Sequence, residues 1–114
     1  MYPIYMAIES KNADMVKLIA KPSTVNIIQK VHPYTNSPLS YALSRNSNSE
    51  IIQILIETGA DVNFIDELQG CNIFHDFCAY RNIDVWEIIK KYATPENLNK
   101  ESYEKGGTPL IYLL

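Results

Sequence analysis

The chain has 114 residues, 46% of them hydrophobic and 20% charged, which suits one folded domain and is wrong for a disordered segment. Its formal net charge is −3, and its Lys and Arg are scattered, adjacent only at Lys90-Lys91; this speaks against a phosphate-binding stripe and hence against nucleic acid. No apolar run approaches the roughly 18 residues of a membrane span, and the N-terminus lacks the basic start of a signal peptide, so the expected compartment is the cytosol, with the nucleus open to diffusion.

The first element opens at Tyr2-Pro3-Ile4-Tyr5. Proline suits the first helical position, where its missing N–H has no intrahelical partner to lose. Ala7-Ile8 follow on one face, so a helix is predicted near 4–10. Asp14 then precedes Met15-Val16-Lys17-Leu18-Ile19, two apolar residues, one polar, two apolar. That spacing sets four apolar side chains on one helical stripe and Lys17 toward solvent, predicting a helix near 14–21.

The same pair recurs. Ser37-Pro38-Leu39-Ser40 opens a helix near 38–45, and Glu50 with Ile51-Ile52-Gln53-Ile54-Leu55 opens one near 49–57. Thr58-Gly59-Ala60-Asp61-Val62-Asn63 stops it, with Gly59 free to turn left-handed. Asn72-Ile73-Phe74-His75 and Asp84 with Val85-Trp86-Glu87-Ile88-Ile89 predict helices near 73–80 and 84–92, closed by Ala93-Thr94-Pro95-Glu96-Asn97-Leu98-Asn99. Thr108-Pro109-Leu110-Ile111 begins a further unit. The second members of these four tetrads stand at 3, 38, 73 and 109, so the period is 35 or 36 residues. A period of that size marks stacked supersecondary units that bury their apolar faces on one another. The usual product is an extended surface for holding another macromolecule. No extensive sheet is expected.

Ser37-Pro38-Leu39, Thr108-Pro109-Leu110, Ile51-Ile52-x-Ile54-Leu55-Ile56 and Gly59-Ala60-Asp61-Val62-Asn63, in that order and spacing, resemble ankyrin repeats. The resemblance covers essentially the whole chain. It implies an all-α helix-turn-helix solenoid with short finger connectors, in repeats of about 1–33, 34–66 and 67–103 and a partial one at 104–114. It also implies β-hairpin fingers, and binding through those fingers and the concave face of the first helices. Three departures stand out. The family's inter-helix glycine is replaced by residues near Lys11, Asn46 and Arg81; Ser44–Ser49 carries one extra residue; and Ile73 replaces the proline. A looser stack than an idealised one is expected.

Chemistry is sparse. Cys71, His75 and Cys78 form C-x3-H-x2-C, one ligand short of a structural zinc site and broken by a helix start, so no metal or other cofactor is expected. By the resemblance, His75 ties repeats through backbone hydrogen bonds, and Cys78 packs as a small hydrophobe. Asp76 adjoins His75 and so does not orient it for nucleophilic catalysis. Gly106-Gly107 lacks the lysine of a phosphate loop. No enzyme is expected. Trp86 shares the register of Val16 and Ile52, which predicts core.

The expected function is protein–protein interaction or scaffolding, and the rival is a structural spacer that binds nothing. Eight tyrosines exceed what the core requires. Candidate partner-binding residues are Tyr41, Arg45 and Tyr80 on or near the first helices, Asp66, Glu67, Leu68 and Gln69 in one finger, and Tyr103 in the next. The partner is an unidentified protein. Ile111-Tyr112-Leu113-Leu114 ends apolar inside a helix, which implies a piece of a longer array or an end that self-associates.

Overall fold

The computed structural model describes residues 2–31, 34–101 and 108–109. Within them the chain runs α1 (Pro3–Glu9), α2 (Ala13–Ile19), β1 (Gln29–Val31), β2 (Tyr34–Asn36), α3 (Pro38–Ser44), α4 (Ser49–Thr58), α5 (Ile73–Phe77), α6 (Ile83–Ile89), a 3-10 turn (Lys90–Tyr92) and α7 (Pro95–Leu98). Helices pair as α1 with α2 and α3 with α4, and successive first helices and second helices pack side by side: α1 on α3 on α5, α2 on α4 on α6. This is a helix-turn-helix repeat.

Each second helix starts the same way. Asn12, Asn48 and Asn82 are its N-caps, and each side-chain oxygen accepts first-turn amides, such as Asp14 and Met15 on Asn12. Asp14, Glu50 and Asp84 then place negative charge beside the exposed N–H groups. Ahead of each cap stands a residue in left-handed conformation, Lys11 (φ 57°), Asn46 (φ 54°) and Arg81 (φ 52°), at the positions where the family glycine is missing. The extra residue of the second pair is Ser47, inserted between Asn46 and its cap. It is buried, and its N–H bonds back to the Ala42 carbonyl at 3.0 Å.

The core is one cluster along the helix seams: Ile4, Tyr5, Ala7 and Ile8 from α1, Leu39, Tyr41, Ala42 and Leu43 from α3, Ile51, Ile52 and Leu55 from α4, and Ile73, Phe74, Phe77, Val85 and Ile89 beyond. Trp86 packs edge-on between Phe74 and Phe77, at centroid distances of 6.4 and 5.5 Å, filling the α5–α6 seam while remaining half-buried. The apolar stripe of α2 is not uniformly inside. Val16 is buried, but Met15 is exposed and Leu18 is 79% exposed, because no earlier described helix packs on that side.

Gly59 (φ 110°) ends α4, and the Ala60 N–H bonds to the Leu55 carbonyl at 3.0 Å in the paired closure typical of a left-handed stop. Asn26 ties this stop to the previous one, donating to the Gly59 carbonyl (3.0 Å) and accepting from the Asp61 N–H (2.8 Å). Two elements differ from expectation. α5 ends at Phe77 rather than near 80, because Ala79 and Tyr80 bond three residues back in a tightened turn. And Pro95–Leu98, read from sequence as a plain stop, is a one-turn helix: Thr94 caps it, Pro95 leads it, and the Asn97 side chain returns to the Thr94 N–H (2.8 Å).

The connectors hold the only departure from helix among the described residues. β1 and β2 form an antiparallel finger, with Gln29 opposite Asn36 and Lys30 opposite Thr35. The next connector closes by backbone turn bonds instead of by paired strands. The Asp66 N–H bonds to the Cys71 carbonyl (2.8 Å), Gly70 at φ 71° turns the chain back, and its N–H meets the Asp66 carbonyl (2.7 Å).

Candidate partner-binding face

First helices and fingers enclose a cleft of about 300 Å³, lined by Thr35 and Asn36 of the β finger, by Ser40, Tyr41, Ser44 and Arg45 of α3 and its end, by Phe64, Asp66, Gln69 and Cys71 of the second connector, and by Asp76 of α5. Four of the sequence candidates, Tyr41, Arg45, Asp66 and Gln69, therefore converge on one concavity. Glu67 and Leu68 are exposed beside it on the same connector, and Tyr80 is exposed in the α5–α6 turn. Tyr80 does not line the cleft. Tyr103 and the C-terminal residues 110–114 lie outside the described residues.

Two candidates sit deeper than the sequence suggested. Tyr41, expected to be a surface anchor, is only 4% exposed. Its ring meets Tyr5 edge-on at 5.2 Å, its hydroxyl donates to Glu9, and the Arg45 guanidinium lies 5.0 Å from its centroid. Burial, helped by the Glu9 carboxylate, raises its phenol above the ordinary value. The reason for the correction is stacking: α1 and α5 both pack on α3, so side chains of α3 are flanked on two sides. Asp66, expected on an exposed rim, is 7% exposed. Its Oδ1 accepts the Thr35 hydroxyl and the Leu68 N–H (2.9 Å), so this carboxylate joins the two fingers and closes its own turn. Tyr5 plays a comparable internal part, with its buried hydroxyl against the carbonyls of Ile27 and Asn36.

Asp76 was missed as a lining residue. It stands three residues after Ile73, as Tyr41 does after Pro38, and that register was the available signal. Desolvation pushes its carboxyl well above the usual carboxylate range, and the neighbouring Asp66 charge pushes the same way. Arg45 lies at the other side of the cleft, 3.7 Å from Glu9 with both side chains half exposed, a pair worth little in stability.

The sulfur and imidazole groups are locally engaged. His75 Nδ1 accepts the Asn72 N–H at 3.0 Å, while Asn72 caps α5 and donates to the Asn97 carbonyl at 2.8 Å. Cys78 points its thiol to the Pro109 carbonyl, 3.7 Å away, and burial raises that thiol above its ordinary value. Cys71 and Cys78 are not joined in a disulfide. Among the described residues no three His, Cys, Asp or Glu side chains are grouped to hold a metal ion, and no helix is long and apolar enough to cross a membrane.

The family model for ankyrin repeats, three copies, matches residues 1–66. With the repeated helix pairs and the glycine-replacing left-handed turns, this places the chain in the ankyrin repeat family. Beyond the matched span, α5 packs on α3 and α6 on α4 as in the earlier repeats, and Trp86 of α6 meets Phe74 and Phe77 of α5. No curated protein matches the chain. Ankyrin repeats generally mediate protein–protein interaction and are typically non-enzymatic.

Proposed function

We propose that the chain is a short ankyrin solenoid that binds a partner protein through its concave first-helix face and finger connectors, as an adaptor or scaffold without catalysis. The observation that carries this reading is the cleft on that face, where Arg45 and Gln69 meet buried Tyr41 and Asp66 and half-buried Asp76. Exposed Glu67 and Leu68 extend it along the connector. A rigid polar concavity beside an exposed apolar side chain is a fitting start for an interface with a desolvated centre and charged rim. The two cysteines, not joined in a disulfide, suit a reducing compartment, cytosolic or nuclear.

The test is affinity capture with quantitative mass spectrometry, comparing the wild-type chain with Arg45→Ala/Leu68→Ala and with Glu87→Ala on the exposed side of α6. A partner lost with the first variant and kept with the second supports the reading. Equal recovery in all three, or no enriched partner, supports a spacer.

A further inference from the structure

Among the described residues the cleft carries more negative charge than its own residues answer. Asp66 is 7% exposed, and both hydrogen bonds it accepts through its side chain go to Oδ1; among the described residues none reaches Oδ2. The Asp76 carboxyl, in the same lining, accepts no hydrogen bond among the described residues, and neither carboxylate is in a salt bridge there. Asp66 is buried and Asp76 half-buried, and two carboxylates facing the same cavity repel each other. Arg45, the one cation among the described lining residues, is drawn the other way, toward Glu9 and the Tyr41 ring.

We infer that this cleft is the seat of a basic side chain, a lysine or arginine projecting from the partner protein, with Asp66 Oδ2 and the Asp76 carboxylate as its counter-charges. The inference rests on the concave-face reading and specifies the chemistry of its occupant. Tyr41 and Phe64 offer ring surface for the aliphatic stem or the cation. Asn36, Ser40 and Gln69 supply further polar lining for the N–H groups that the two acids do not take. A guanidinium, with five donors in a planar fork, matches two carboxylates better than an ammonium does. A metal ion fits less well. Calcium asks for six to eight oxygens, and among the described residues no third carboxylate joins this pair.

The test uses the whole chain, ¹⁵N-labelled, titrated with three capped pentapeptides, Gly-Gly-X-Gly-Gly, in which X is arginine, lysine or citrulline. Expected are saturable amide shifts at Thr35, Leu68 and Asp76 with arginine, weaker but saturable ones with lysine, and at least tenfold weaker affinity with citrulline, which keeps the shape and loses the charge. Asp76→Asn should lower arginine-peptide affinity at least fivefold. Asp66→Asn, which retains an Oδ1 acceptor for Thr35 and Leu68, should do the same. Equal binding of citrulline, no saturable shift at the cleft, or saturation by calcium chloride but not by the arginine peptide would each overturn the inference. A partner protein that loses binding on Arg45→Ala/Leu68→Ala yet keeps it on Asp76→Asn would overturn the cation seat while leaving the concave-face reading standing. Charge-dependent peptide binding in the absence of any captured partner would support the seat and count against that reading.

Discussion

Lys11 provides a measurement of how much this chain gives up by lacking the inter-helix glycine. Its φ of 57° is left-handed, its side chain is exposed, and it makes no hydrogen bond or ion pair through that side chain among the described residues. The Cβ crowding of that conformation costs about 1–2 kcal/mol. Lys11→Gly removes it while keeping the Lys11 N–H bond to the Ile8 carbonyl, 3.0 Å in the present chain. Against this, glycine adds unfolded-state entropy worth about 0.4–1 kcal/mol. The net expectation is a gain of about 0.5–1 kcal/mol. Asn46, at φ 54°, is the control. Asparagine tolerates the left-handed region, so Asn46→Gly should leave stability unchanged or lower it by up to about 0.5 kcal/mol. Urea unfolding read by circular dichroism, with unchanged slope and a shifted midpoint, gives both values. A loss of stability in Lys11→Gly, or an equal gain in both variants, would refute the reasoning.

Trp86→Ala should cost about 2–3 kcal/mol in the same assay, below the 3–5 kcal/mol of a fully buried aromatic, because the indole is half-buried between Phe74 and Phe77; a change under about 1 kcal/mol would place it outside the seam. Asn72→Ala should cost about 2 kcal/mol by removing both the α5 cap and the bond to the Asn97 carbonyl, whereas Asn72→Ser, which keeps a cap, should cost about half as much. The Asp76 carboxyl is raised in the folded state by desolvation first and by Asp66 second, so the native chain holds its proton more tightly than the unfolded one. Stability should therefore fall as pH rises from the ordinary carboxylate range through the raised native value. Asp76→Asn should flatten that part of the stability–pH profile and stabilise the chain at neutral pH, with no gain below the unfolded pKa; an unchanged profile would contradict it.

Local chemistry along the chain determined where helices begin and end. Proline, Asp and Glu at helix starts, Gly59 at a stop and the apolar spacing act within one or two turns, so their effects are legible without neighbours. The left-handed turns at Lys11, Asn46 and Arg81 follow from the repeat register for the same reason. The short helix at Pro95–Leu98, expected as a plain stop, had a local sign that the stop reading passed over, since Thr94-Pro95 repeats the Thr108-Pro109 opening. Which side chains reach solvent was decided only by tertiary structure. Met6, Tyr41 and Asp76 occupy one register position, yet Met6 is 59% exposed, Tyr41 is buried and Asp76 lines a cleft. The difference is what packs alongside: α1 has a first-helix neighbour on one side among the described residues, while α3 has one on each. Asp66 is the sharper case. Its composition and turn position argue for solvent, but the hydroxyl of Thr35, 31 residues away, lies within hydrogen-bond reach only after the fingers stack. Contacts of that range depend on the rotation and rise between repeats, which no local pattern encodes, and they decide how much charge the concave face keeps.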